Sequence, residues 1–142
     1  MITFYTDGSA SPNPGPGGFA VVAKDGQPVA LGSEKMSTNI RMEAMAIIEA
    51  IKLSGGRDCQ IFTDSQFWIN VLTVWGKGWQ AKGWTKKNGP IKNLDLVKQI
   101  YELYEESQAV LIWVRSHNEN ELNELADEWA NRARQGEVMK NA

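Results

Sequence analysis

The sequence predicts an α/β fold, a mixed five-stranded sheet with three antiparallel strands followed by two parallel ones, flanked by helices. Three observations carry this. The first third of the chain holds three strand-like runs separated by turn residues. After that, two further strand-like runs each arrive behind a long helical pattern, so they join the sheet in parallel. The chain has 142 residues, a length suited to one domain with a real core, and residues 1–142 read as one unit with no linker or repeat.

The elements follow in order. "ITFYTD" alternates apolar and polar residues and reads as a strand ending on Asp7. "SPNPGPGG" interrupts regular structure, "FAVVAK" resumes as a strand, and Asp25-Gly26 signals a hairpin into "QPVALGSEKM". "NIRMEAMAIIEAIKLS" is a helix closed by Gly55-Gly56. "CQIFTD" is a strand ending on Asp64, and from Ser65 to about Gly83 the chain reads as a broken helix. "NLDLVKQIYELYEES" is a helix, "AVLIWV" a strand, and "ELNELADEWANRARQ" the last helix. The order is β-β-β-α-β-α-β-α.

Composition removes several function classes. A single cysteine, Cys59, excludes an internal disulfide, and one histidine excludes a Cys/His zinc cluster. No signal peptide or bilayer-length apolar run is present, so the expected compartment is the cytoplasm, with no membrane partner and a monomeric state. The formal net charge is −2, but it is unevenly spread. Between Asp64 and Asp95 lie five lysines and no acid, so that window carries +5 against −7 for the remainder. A local positive patch on an acidic body suits an anionic partner, although on charge alone a solvated helix face is the favoured reading.

The acids are more informative. Sites in open α/β sheets form beyond the carboxyl ends of parallel strands. If the strands ending on Asp7 and Asp64 are parallel neighbours, their carboxylates stand roughly 5 Å apart, one strand spacing. Two such charges repel unless a cation compensates, and no Arg or Lys flanks either in sequence. Taken singly, each Asp also fits a turn cap after its strand. Glu43 adds weight. Arg41, Glu49 and Lys52 define the wet side of their helix, and Glu43 lies about 160° from its middle, among Ala46, Ile47 and Ala50. A carboxylate there needs a cation or another partner. Asp127, by contrast, falls off the dry stripe of Leu122, Leu125, Ala126, Trp129 and Ala133, and pattern alone reads it as solvated. An all-carboxylate set suits a hard cation, Mg²⁺ or Mn²⁺. Two such ions can activate water and stabilise a phosphodiester's leaving oxygen.

Taken together, "YTDGSASPNPGPGGFA", "NIRMEAMAIIEAI", "IFTDSQF", "VWGKGWQAKGWTKKNGPIKNLDL" and "WVRSH…ELADEWA" resemble type 1 ribonuclease H, in that family's order, from about Ile2 to Arg134. The resemblance implies a ribonuclease H-like fold and an endoribonuclease that cleaves the RNA strand of RNA/DNA hybrids. It implies two Mg²⁺ ions, with Mn²⁺ as a substitute, and products with 5′-phosphate and 3′-hydroxyl ends. It makes Asp7, Glu43, Asp64 and Asp127 the metal-binding acids, and His117 a loop residue assisting proton transfer and product departure. It assigns Asn13, Asn39 and Gln66 to the hybrid's minor groove, and Thr38 with Asn13 to a DNA-strand phosphate. It makes residues 73–92 a basic handle, whose Trp79, Lys82, Trp84, Lys86 and Lys87 would meet the duplex backbone, while Trp75 reads as an anchor for the handle helix.

The sequence departs from the family pattern in places. Ser116 precedes His117 where the family has Gly, "NENELN" follows it, and Ile40 replaces a second asparagine after Asn39. No hybrid-binding segment precedes Met1, so catalytic domain and handle are expected to do all the binding. A binding module that has lost cleavage would lack one of the acids, and all four are present. A strand-transfer enzyme would have no need of the handle. "GSASPNPGPGG" is no ATPase loop, for it lacks Gly-Lys-Ser/Thr.

Overall fold

The computed structural model describes residues 1–115 and 121–137. Its sheet has the order β3-β2-β1-β4-β5, with β1 Ile2–Ala10, β2 Gly15–Ala23, β3 Pro28–Ser37, β4 Cys59–Thr63 and β5 Ala109–Trp113. The first three strands are antiparallel neighbours, and β4 joins β1, and β5 joins β4, in parallel. The expected mixed sheet is therefore the one formed. No helix among the described residues is long and apolar enough to cross a membrane.

Two strand boundaries differ from the sequence reading. β1 does not stop at Asp7 but continues to Ala10, because Asp7 through Ala10 pair with Ala20 back to Gly17 on β2. What ends near Asp7 is only its β4 side, where the last ladder pair is Tyr5 with Phe62. On β2, the "GPGG" run lies within the strand and pairs with both neighbours through a register shift between Gly15 and Gly17. Small residues there admit helices closely. A Cβ on Gly8 would stand 2.3 Å from the Met42 carbonyl carbon of α1 (Asn39–Ser54), and one on Gly18 2.3 Å from the Arg134 nitrogen of α5 (Glu121–Arg134). Gly8 and Gly18 thus bring one helix onto each face of the sheet.

Helix α1 begins at Thr38, whose side chain accepts from Arg41 N, and ends at Gly55 in the left-handed conformation. The broken helix after Ser65 is α2 (Gln66–Asn70), a wide π turn (Val71–Trp75) and α3 (Gly76–Ala81). Helix α4 (Leu94–Glu106) packs on α1, and Arg41 and Asp95 join the two with a bidentate pair at 2.8 and 3.1 Å. The main core fills the space between the sheet, α1, α2, the π turn and α4, around Phe4, Ile47, Ile61, Trp68, Val71 and Ile100. Cys59 lies inside this core, and burial pushes its thiol up to about 11, so it serves as a small apolar side chain.

Candidate active site

The Asp7 side chain follows from strand alternation. Gly8 faces α1, so Asp7 and Ser9 project to the opposite face, where the Ser9 hydroxyl meets Asn131 of α5 at 3.2 Å. The β1–β4 register carried two residues past Tyr5 and Phe62 sets Asp7 beside Asp64. Thr6 secures that junction by donating its hydroxyl to the Phe62 carbonyl at 3.0 Å. Close approach of α1 at Gly8 then brings in Glu43. The outcome is one cluster: Asp7, Glu43 and Asp64 each offer a carboxylate oxygen, all within 4.8 Å of one another. Asp7 is buried, at 6% exposure, and Glu43 and Asp64 are half-buried.

Electrostatics shows the cost of this grouping. Burial, then the charge of Asp64, then a hydrogen bond and the charge of Asp127 hold the Asp7 carboxyl well above the usual range, against a Gly8 backbone bond that lowers it. Burial and Asp64 likewise push Glu43 up to about 7, partly offset by a hydrogen bond from the Ser65 hydroxyl. None of these shifting groups is cationic. A hard cation fits such a donor set, because it offers oxygen ligands only and its ionised form lacks positive charge.

Asp127 is half-buried and near enough to Asp7 to raise its pKa, so the solvated reading of its helix face is corrected. On α5 the residues against the sheet are small, Ala126, Ala130 and Ala133, together with Asn123 at 4% exposure. Leu122, Leu125 and Trp129 sit half-buried on the flank, the two leucines near Gly26. A polar face turned toward a polar site has the same period as one turned toward water.

Of the other anticipated residues, Asn13, Thr38 and Asn39 come together at the start of α1. The Asn39 amide oxygen accepts from Ala10 N at 2.6 Å, and that of Asn13 accepts from Asn39 N at 3.1 Å. Their amide nitrogens take no part in these bonds. Gln66 is exposed at the first turn of α2. In the handle, Lys82, Lys86 and Lys87 are exposed and border a groove of about 270 Å³ whose floor includes Trp75 and Trp79. The tryptophans divide differently from expectation. Trp79 and Trp84 pack half-buried on the core, Trp84 edge-on to Tyr101 at 5.7 Å, whereas Trp75 is 40% exposed. His117 lies outside the described residues. Ser65 was not anticipated from the sequence. Its one signal is its position, directly after Asp64 and at the cap of α2.

The RNase H family model matches residues 1–135. This chain belongs to the RNase H family. Among its relatives is the ribonuclease H of Polynucleobacter asymbioticus, 41% identical over 92% of this chain and 88% of that protein. The ribonuclease H of Cupriavidus metallidurans is 42% identical over 92% of this chain and 93% of its own length. In structure it is similar to LC9-RNase H1, a type 1 RNase H with the type 2 active-site motif. The TM-score there is 0.81 and the identity 28%, covering 95% of this chain and 72% of that one. The N-terminal RNase H domain of Rv2228c from Mycobacterium tuberculosis shares the fold, with TM-score 0.65 and 95% of each chain covered. The resemblance read from the motifs is thus a family membership, and this RNase H is a nuclease of the type 1 class.

Proposed function

We propose that this RNase H, with residues 1–142 as one catalytic domain, hydrolyses the RNA strand of RNA/DNA hybrids with two Mg²⁺ ions, leaving 5′-phosphate and 3′-hydroxyl ends. The observation that carries the reading is the convergence of Asp7, Glu43 and Asp64 within 4.8 Å, with Asp127 near enough to raise the pKa of Asp7. The proteins it resembles in sequence are named ribonuclease H, which supports the substrate class.

In this reading the four acids hold the cations, and their clustered charge becomes favourable only when the cations are bound. Bound there, the ions would supply Lewis-acid activation of water and stabilisation of the leaving oxygen. Everything else is positioning by the chain. The braced amides of Asn13 and Asn39 present donors to the minor groove, Gln66 of α2 meets the same groove, and Thr38 lies near a DNA-strand phosphate. Lys82, Lys86 and Lys87 hold backbone phosphates distant from the cut, over a handle surface that Trp75 extends. His117 moves a proton during attack or product departure.

The test is incubation with labelled RNA/DNA, RNA/RNA and DNA/DNA duplexes, with and without Mg²⁺. Cleavage confined to RNA in the hybrid, and abolished by chelator, is expected. Equal cleavage of double-stranded RNA, or full activity in excess chelator, would sink the reading.

A further inference from the structure

The acids of the cluster come from separate elements, and α1, which carries Glu43, shares no ladder with β4, whose end carries Asp64. Something must set the distance between them. On the β1 side α1 is held by the close approach at Gly8. On the β4 side a hydrogen bond reaches α1 from the segment directly after Asp64. The Trp68 indole Nε1–H donates to the Ile40 carbonyl at 2.7 Å. Ser65 and Trp68 are themselves joined, since Trp68 N donates to Ser65 Oγ at 3.3 Å.

Ile40 and Glu43 lie one turn apart on α1. The Trp68 bond therefore holds the start of the very turn that ends on Glu43. Trp68 is fully buried, at 0% exposure, and Ser65 is at 5%. Packing alone asks only for a large ring at position 68. The N–H is the extra feature, and its partner is a main-chain carbonyl of the helix turn that ends on Glu43.

We propose that Trp68 is a positioning residue for the acid cluster. Its indole N–H locks the first turn of α1 onto the segment after β4 and so sets the spacing of Glu43 and Asp64. This rests on the cluster being the cation site.

The experiment measures Mn²⁺ binding by calorimetry alongside hybrid cleavage. Trp68→Phe keeps an aromatic ring and loses the N–H. Removing one well-made hydrogen bond changes an equilibrium by about two- to tenfold. Trp68→Phe is therefore expected to weaken Mn²⁺ binding and lower kcat by that factor, with KM for the hybrid unchanged. Ile100→Val, a buried change in α4, serves as a stability control and should leave Mn²⁺ affinity at the wild-type value. Wild-type Mn²⁺ affinity in folded Trp68→Phe overturns the clamp alone, whereas a wild type that binds no Mn²⁺ overturns the clamp and the site together. Should Trp68→Phe not fold, the Trp68 indole N–H resonance of the wild type decides the matter. It is expected to shift during a Mg²⁺ titration, and a resonance that stays in place overturns the proposal.

Discussion

At Asp64 the chemistry and the fold make opposite demands. Its charge raises the pKa of both Asp7 and Glu43, so in the absence of a cation it disfavours the ionised cluster. Asp64→Asn keeps the shape and removes that charge. We expect turnover to vanish while the melting temperature of the metal-free protein holds or rises, and a marked fall in melting temperature would instead make Asp64 a structural cap. Glu43 was legible in the sequence because an acid interrupted an apolar helix face. Asp127 was not, since its polar neighbours on α5 gave no contrast, and only its nearness to Asp7 reveals which way it looks. His117 is the sole histidine and follows β5 in the sequence. General acid–base help is worth about 10²–10⁴ in rate, and a loop residue belongs near the lower end. His117→Ala should lower kcat roughly 10–100-fold with KM nearly unchanged. Wild-type rates across pH 6 to 9 in that variant would remove His117 from the mechanism.

Elements separate binding from chemistry more cleanly than residues do. The handle's exposed lysines lie in the turns that follow α3, while the acids sit at the sheet. Changing Lys82, Lys86 and Lys87 together to Ala should raise KM far more than it lowers kcat, because these side chains would bind ground and transition states alike. The slope of log affinity against log salt should flatten by up to about 0.9 for each phosphate no longer neutralised, and an unchanged slope would mean that the handle does not touch the duplex. The strand that begins at Gly15 makes a second case. Its "GPGG" run reads as a breaker in sequence, yet its last glycine is what admits α5, since a Cβ on Gly18 would meet Ala130 and Arg134 backbone at 2.4 and 2.3 Å. Strand propensity is silent there because the requirement is tertiary. Gly18→Ala must therefore push α5 off β2, with an overpacking cost of about 1–3 kcal/mol in urea unfolding. As α5 carries Asp127, the variant's activity should fall too.

For the whole molecule, β-β-β-α-β-α-β-α with parallel later strands was enough to place Asp7 and Asp64 at one edge, which is why topology and half the site could be read from the chain. What the order of elements leaves out is how closely they approach, and the close packing at Gly8 and Gly18 and the Trp68 bond supply it. A consequence is that the acids, drawn from β1, α1, the end of β4 and α5, make the fold and the cation site one equilibrium. Glu43 is held at about 7 against an ordinary 4.5, so the folded metal-free chain keeps a proton that the unfolded chain has lost. Stability from that group is fully present below about 4.5 and disappears as pH climbs through about 7. At about 1.4 kcal/mol per pK unit this amounts to roughly 3 kcal/mol, with Asp7 acting in the same direction. The opposite trend of Asp95, lowered to about 2 by Arg41, belongs to more acidic solutions and does not interfere. If cations bind the ionised cluster in the folded state, as proposed, they should restore by mass action what the rise in pH removes, about 2.7 kcal/mol at a hundredfold excess over Kd. Melting temperatures in chelator should therefore fall between pH 5 and pH 8, and added Mg²⁺ should raise them at pH 8 far more than at pH 5. A Mg²⁺ effect of equal size at both pH values would mean that the cations stabilise this protein somewhere other than at Asp7, Glu43 and Asp64.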